Sequence, residues 1–501
     1  MEKNNYSLNI LTGEKYLIPK EDRKNIDNFL SKHKGKKVIV VQGLGFVGAV
    51  MTLICANALT EEYAVIGVDL ADKNNYWKIA SINTGIFPVV ASDPKIEEFY
   101  QKTQSKGNLL ATHDSYAYSV ADVIIVDINL DVLKNSDFSK TLINYDVNLK
   151  PFEKGIETIG NNCKEDVLIL IETTVPPGTC EKVAYPLIKE CLLNRNLAID
   201  KFKLGHSYER VMPGPNYIDS IQNFYRVYSG IDENSAPSVE NFLRTIISTE
   251  KYPLTQLANT NATEMAKVLE NSYRAMNIAF MVEWSRFAEL ADVNLYEVVS
   301  AIRMRPTHSN MMLPGIGVGG YCLTKDPLLA SWAKQNLFDS NRPLNQSEIS
   351  VQINDQMPLF AFNYLKENYK ENLSGKKVLL LGVSYRSDIS DTRYSPVEPF
   401  YDYLISEGSK INLHDPYVDI WEEKGIEVSS DLDELLKEDM DILVFCTNHS
   451  EYINNASLVE SISNNKNKKK LIFDTVGVLN QNEINRLKQS HTVKVVGRGD
   501  L

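Results

Sequence analysis

Residues 37–48 read Lys37-Val38-Ile39-Val40-Val41-Gln42-Gly43-Leu44-Gly45-Phe46-Val47-Gly48, an apolar run of strand character ending in G-x-G-x-x-G, and a helical pattern follows from Ala49 to Leu59. Each glycine answers a steric demand: the first makes the tight turn, the second lets a pyrophosphate approach, and the third lets helix pack on strand. The phosphates then meet the helix N-terminus. A second apolar run, Tyr63–Val68, ends in Asp69, 21 residues past Gly48. A carboxylate there accepts from both ribose hydroxyls and repels a 2′-phosphate, so the pattern predicts NAD rather than NADP. Gly43, Gly45, Phe46, Val47, Gly48 and Asp69 are the cofactor-binding residues it nominates. A Gly-rich turn without a ligand is the alternative, and strand, helix and acidic residue together weigh against it.

Outward from this stretch, strands alternate with helical segments as far as about Ile231, with Val123–Asp127, Val167–Ile171 and Arg226–Ser229 as further strands. That alternation predicts a parallel, doubly wound sheet. From about Ser238 the pattern turns helical, and Thr263 to Leu290, without Pro or Gly, predicts one long helix. Its positions Met265, Leu269, Tyr273, Met276, Phe280, Trp284 and Phe287 recur at helical spacing and mark one buried stripe, covered within the subunit or by a partner. Gly375-Lys376-Lys377-Val378-Leu379-Leu380-Leu381-Gly382 then echoes Gly35-Lys36-Lys37-Val38-Ile39-Val40-Val41, and a second βα pattern follows without the triple glycine. The expected fold is α/β, two Rossmann-like doubly wound domains joined by a central helical domain with one long helix. The expected boundaries are an N-terminal extension over 1–34, an NAD-binding domain over 35–236, a helical domain over 237–366 and a C-terminal Rossmann-like domain over 367–501.

In the helical part stands Gly315-Ile316-Gly317-Val318-Gly319-Gly320-Tyr321-Cys322-Leu323-Thr324-Lys325-Asp326. Glycines let backbone approach a ligand closely, and a thiol is the best side-chain nucleophile at neutral pH. A nearby cation lowers a thiol's pKa. Asp326 reaches the face of Cys322 if the loop turns helical, and can then act as a base toward water. A Gly-rich turn ending in a buried cysteine accounts for the same letters equally well.

Composition agrees with a soluble enzyme. The chain has 501 residues, 43% hydrophobic and 24% charged, enough for several domains with proper cores. A formal net charge of −12 argues against nucleic acid and anionic membranes as partners. The basic run Lys466-Asn467-Lys468-Lys469-Lys470 precedes a strand and reads as a solvated loop. Six cysteines at irregular positions give neither a disulfide framework nor metal-ligand spacing, as in a reducing compartment. Met1-Glu2-Lys3-Asn4-Asn5-Tyr6 opens no signal-like apolar region, so the expected location is the cytoplasm.

These motifs in this order resemble the UDP-glucose/GDP-mannose dehydrogenase family of nucleotide-sugar 6-dehydrogenases over roughly residues 36 to 485. Besides Gly43–Gly48 and Cys322–Asp326, the series includes Thr173-Thr174-Val175-Pro176-Pro177-Gly178-Thr179, Glu209-Arg210-Val211-Met212-Pro213-Gly214, Lys267-Val268-Leu269-Glu270-Asn271 and Asp391-Thr392-Arg393-Tyr394-Ser395-Pro396. The resemblance implies a four-electron oxidation in which two NAD molecules take a sugar C6 alcohol through aldehyde to carboxylate. Cys322 then supplies the heteroatom for a thiohemiacetal and a thioester. Lys267 and Asn271, at i and i+4, would share donation to the oxyanion; a solvated helix face is their ordinary fate. By the resemblance, Glu209 and Asp326 are acid/base candidates, Thr174 lies beside the nicotinamide or C6, and Lys325 joins the cofactor contacts. Arg210, Arg305, Gly319, Tyr385, Arg386 and Arg393 are nominated for the substrate, the last three for the nucleotide diphosphate, and a homodimer or higher homo-oligomer is expected on the long helix.

Three departures qualify the match. Asp127-Ile128-Asn129-Leu130 stands where the family has Val-Pro-Thr-Pro, Arg305 fits the substrate-gripping arginine poorly, and Pro213 replaces a second glutamate of the UDP-glucose branch. The last, together with Glu209–Gly214 and the stretch Asn271–Ala279, resembles the branch acting on UDP-N-acetylhexosamines for surface polysaccharide, with UDP-glucose or GDP-mannose as alternatives. A catalytically silent NAD- or nucleotide-sugar-binding protein is the alternative of another class, and the Cys/Lys/Asn/Asp set argues against it. A 3-hydroxyacid-type dehydrogenase ranks last, since it has no second Rossmann-like unit.

Overall fold

Lys37–Gln42 is buried along four consecutive residues, which requires a strand covered on both faces. In the computed structural model, which describes residues 6–89, 91–137, 139–211, 214–465 and 468–501, it lies inside an eight-stranded sheet. Met1–Asn5, Pro213 and Lys466, on which sequence expectations rested, fall outside the described residues. The strands run in spatial order Thr255–Gln256, Val227–Gly230, Lys203–His206, Leu168–Ile171, Val123–Val126, Lys37–Gln42, Tyr63–Val68, Leu109–Thr112. All neighbours are parallel except Lys203–His206 with Val227–Gly230, the one antiparallel pairing in a sheet expected to be parallel throughout. The chain reverses its direction of winding between Lys37–Gln42 and Val123–Val126, which opens a crevice at the strands' C-terminal ends. Helix Phe46–Ala56 buries nine of its residues against this sheet.

The N-terminal segment, which the sequence left without a reading, is docked. A hairpin of Tyr6–Leu8 and Lys15–Leu17 precedes helix Arg23–Lys32. The Ser7 hydroxyl accepts from the Trp77 amide (2.9 Å) and donates to the Lys73 carbonyl (2.8 Å), and Asn9 donates to Ser81 (3.0 Å). These bonds cap and brace helix Tyr76–Thr84.

The chain divides into two compact units. The first comprises Met1–Val132, Val147–Val268 and Trp332–Arg342; the second comprises Leu133–Asp146, Leu269–Ser331 and Pro343–Leu501. In the second, five parallel strands run in the order Lys410–His414, Lys377–Leu381, Ile442–Phe445, Leu471–Asp474, Thr492–Val495. This is the second Rossmann-like sheet that the repeat at Gly375–Gly382 anticipates.

The long helix spans Thr260–Leu290, 31 residues and about 46 Å. Of the two ways to cover the expected stripe, its own chain does not supply the first. Val268, Ala275, Ala279, Met281 and Val282 are buried, whereas Met265, Leu269, Tyr273, Phe280, Trp284 and Phe287 are exposed. Phe280, Trp284 and Phe287 meet in sequence through tilted and edge-on contacts, each ring centroid 6.0 Å from the next. The helix therefore packs on its own chain with small and aliphatic residues and presents its aromatic stripe outward.

Candidate active site

The Gly43 amide donates to the Val68 carbonyl (2.8 Å), which sets the glycine loop beside the end of strand Tyr63–Val68. Gly43 adopts φ +93°, and a Cβ there would lie 2.4 Å from the Asp127 carbonyl; on Gly48 it would lie 1.9 Å from the Gly43 carbonyl. Gly45 stands at the N-cap of helix Phe46–Ala56 and makes no side-chain cap, and the N-terminus of a helix favours an anion. Asp69 accepts from the Leu44 amide (3.0 Å) and the Leu70 amide (2.7 Å). These residues fit an NAD: Gly43 and Gly48 leave no room for a Cβ, Gly45 leaves open space beside its Cα, and a carboxylate stands at the next strand end. Sequence reasoning missed one partner. Lys78, on helix Tyr76–Thr84, reaches the same Asp69 carboxylate at 3.0 Å. A lysine nine residues past the acid is the only signal that could have found it.

The first unit also gathers Glu209 and Lys267. Both are buried, and the Lys267 ammonium donates to the Glu209 carbonyl (2.8 Å) with the carboxylate at 3.8 Å. It also lies 5.3 Å from the Tyr208 ring centroid. Glu209 accepts from the Val211 amide, which turns its carboxyl back on its own loop. Arg210 stacks between Tyr208 and Phe224 (5.6 and 5.8 Å). Thr174 is half-buried just past strand Leu168–Ile171. The solvated-face reading of Lys267 therefore fails.

In the second unit, Asn271 donates to Asp326 at 2.6 Å, and Asp326 is fully buried at the start of helix Asp326–Asn336. The Asp326 amide donates to the Cys322 carbonyl (2.9 Å), as the Lys325 amide does (3.2 Å). That closes the helical turn which places positions 322 and 326 on one face. Cys322 is exposed, while the other five cysteines are buried. The buried-cysteine reading of the Gly-rich turn thus fails at the residue for which it was framed.

The glycines before Cys322 meet protein as well as open space. A Cβ on Gly317 would lie 2.2 Å from Pro396, on Gly319 2.5 Å from Tyr385, and on Gly320 2.8 Å from the Tyr385 ring. Tyr385 therefore lies flush on the loop, half-buried. Lys325 is buried with its ammonium 3.9 Å from the Tyr321 ring centroid. Arg386 is exposed, and Arg393 is exposed and bound to Asp391 through two nitrogens (2.9 and 2.6 Å). Arg305 is exposed beside the short turn Pro306–His308, whereas Arg303 turns inward to the Met311 carbonyl (3.0 Å). Among the described residues no cluster of His, Cys, Asp or Glu could hold a metal ion.

Three sequence models of the UDP-glucose/GDP-mannose dehydrogenase family match: its NAD binding domain over residues 37–247, its central domain over 261–355 and its UDP binding domain over 379–481. A UDP-N-acetyl-D-mannosamine dehydrogenase of Methanocaldococcus jannaschii is 30% identical over 93% of this chain and 97% of its own. The one from Pyrococcus horikoshii is 30% identical over 92% and 100%. Among solved structures, an NDP-N-acetyl-D-galactosaminuronic acid dehydrogenase from Methanosarcina mazei superposes with a TM-score of 0.75 at 26% identity, covering 95% of this chain and 98% of that one.

Replacing Asp69 by alanine releases Lys78 from its partner and replaces repulsion of a 2′-phosphate with attraction. Fluorescence titration of the Asp69→Ala variant with NADH and NADPH should show the NADH preference falling at least about tenfold, or ~1.4 kcal/mol. An unchanged ratio would place Asp69 and Lys78 away from the adenosine ribose.

Proposed function

The chain belongs to the UDP-glucose/GDP-mannose dehydrogenase family of NAD-dependent oxidoreductases, and on that footing we propose that it oxidises C6 of a UDP-N-acetylhexosamine, N-acetylmannosamine first, to the uronate. The observation that carries the reading is the turn Cys322–Asp326. It joins an exposed thiol to a buried carboxylate that Asn271 holds.

NAD, when bound, takes up the two electrons and the hydrogen lost from carbon at each oxidation. The chain's own residues do the rest. As thiolate, Cys322 adds to the C6 aldehyde to give a thiohemiacetal, while the Lys267 ammonium and the Asn271 amide donate to the oxyanion. After the second oxidation the carbon is a thioester of Cys322. Glu209 or Asp326 takes a proton from water, the water oxygen bonds to C6, and the C–S bond breaks to return the thiolate and release the carboxylate. Thr174 and Lys325 act toward the cofactor. Arg210, Gly319, Tyr385 and Arg386 act toward the UDP-sugar, with Arg305 and Arg393 at its edge. A product of this kind supplies acidic sugars for surface polysaccharide. No helix among the described residues is long and apolar enough to cross a membrane, which suits a cytoplasmic enzyme acting on a soluble nucleotide sugar.

A panel of UDP- and GDP-sugars assayed for NADH release tests the substrate; release with UDP-glucose and none with any N-acetylhexosamine would overturn the assignment. With the active sugar, the wild type should release two NADH per uronate. Cys322→Ser should stall before free acid forms, and full acid production by that variant would sink the covalent mechanism.

The exposed aromatic stripe of the long helix is too apolar for a solvent face, so we assign it to a two-fold contact between subunits. Because Phe280 is exposed in the single chain, Phe280→Glu should keep the fold and its melting temperature yet sediment as a monomer. A monomeric mass for the active wild type would refute the assignment.

A further inference from the structure

At the C-terminal edge of the first sheet, Asp127 and Glu172 stand side by side. Val126 and Ile171 are partners in parallel register, so the residues that follow them occupy the next row and project to the same face of adjacent strands, ~4.8 Å apart. Glu172 is buried, and both Asp127 oxygens and Glu172 Oε2 are buried without a hydrogen-bond partner among the described residues. One buried guanidinium, Arg226, bonds the other Glu172 oxygen, and its Nε and Nη1 are themselves unpartnered. Glu209 faces both carboxyls, and Lys267 also acts on Glu172. From helix Phe46–Ala56 comes the Cys55 thiol, whose ionisation burial suppresses. On the neighbouring strand, burial drives His206 down to about 3, so it is neutral.

Two carboxyls at one strand spacing, out of water and sharing one guanidinium, cannot both ionise cheaply. Burial, with Glu172 and Glu209 beside it, holds the Asp127 carboxyl well above the usual carboxylate range. Burial pushes Glu172 up to about 7 against the pull of Arg226. At neutral pH and below, the pair therefore retains a proton.

Its place in the crevice gives that proton a use. A Cβ on Gly48 would lie 3.2 Å from the Asp127 Cβ, so Asp127 backs directly onto the glycine loop. Asp69 marks the adenosine-ribose side, on the strand that flanks Lys37–Gln42 opposite Val123–Val126. A dinucleotide lying across the switch point with its ribose at Asp69 turns its other half toward the ends of Val123–Val126 and Leu168–Ile171. That half is cationic when oxidised and neutral when reduced.

We propose that Asp127 and Glu172 are a charge-sensing pair for the nicotinamide half of the cofactor, which gives up its shared proton when NAD binds and keeps it when NADH binds. Both are positioning residues acting through charge. A nearby cation favours the ionised pair and lowers its pKa, so affinity for NAD rises with pH through the range in which the pair titrates and levels off above it, while affinity for NADH stays flat. The proposal is independent of which sugar is oxidised.

Calorimetric titration of the full chain with NAD and with NADH near pH 6, each in two buffers of different ionisation enthalpy, counts the protons released. NAD should release about one proton per subunit and NADH close to none. Asp127→Asn and Glu172→Gln should each cut the NAD-linked release by more than half while keeping NADH affinity within about threefold. No release with NAD, equal release with both cofactors, or release that persists in both variants would overturn the proposal. If one variant fails to fold by its melting curve, the other variant and the wild-type contrast between the two cofactors decide.

Discussion

A hydrogen bond from the half-buried Asn271 amide to the buried Asp326 carboxylate, at 2.6 Å, fastens the long helix to the turn that carries Cys322. A carboxylate with no solvent exposure needs donors, and hydrogen bonds to a charged group of this kind contribute about 1.5–3 kcal/mol. Asp326 opens helix Asp326–Asn336, where the helix dipole favours negative charge, and its amide closes the turn onto Cys322. The thiol is thus exposed on backbone that is held fixed. Lys267 lies one turn before Asn271 on the same helix, held by the Glu209 carbonyl, so one element orders donors along its axis while its aromatic stripe faces elsewhere.

The two Rossmann-like sheets show how one architecture is adapted to different ends. In the first, Asp69 takes one amide of the glycine loop, from Leu44, and also meets the Leu70 amide and the half-buried Lys78 ammonium. In the second, Asp415 stands at the same place, after strand Lys410–His414, but accepts from both Val383 (2.8 Å) and Ser384 (3.1 Å) and meets the buried His449 at 3.1 Å. The position expected to serve ribose in one sheet is filled by protein in the other. That is the physical content of the missing triple glycine, and it fits a domain whose family role is UDP binding.

Much of this was legible in the sequence because it depends on local spacing. The glycine fingerprint, the acid at the next strand end, the proline-free long helix and the i, i+4 relations of Lys267 to Asn271 and Cys322 to Asp326 are short-range patterns. What spacing cannot carry is contact between distant segments. Lys78 meets Asp69 only because the next helix folds back over the strand end, and Tyr385 meets Gly319 only through the tertiary fold. The aromatic stripe was legible as a stripe, while whether its own chain or a partner covers it was not, since periodicity says that residues share a face and not what covers it. Asp127 stood out as a departure, and only its register beside Glu172 gives the departure a meaning.

In the proposed mechanism Cys322 bears the sugar between the two oxidations and water's attack. Glu209→Gln and Asp326→Asn, which remove the two candidates for the hydrolytic base in turn, would each be mixed with excess NAD and the UDP-sugar that wild-type enzyme oxidises, then acid-quenched and digested for mass spectrometry. The account predicts that the Cys322 peptide gains the mass of the UDP-uronyl group and loses it again on treatment with hydroxylamine, as a thioester does. An unmodified Cys322 peptide alongside NADH formation, or the same added mass on another residue, would contradict it.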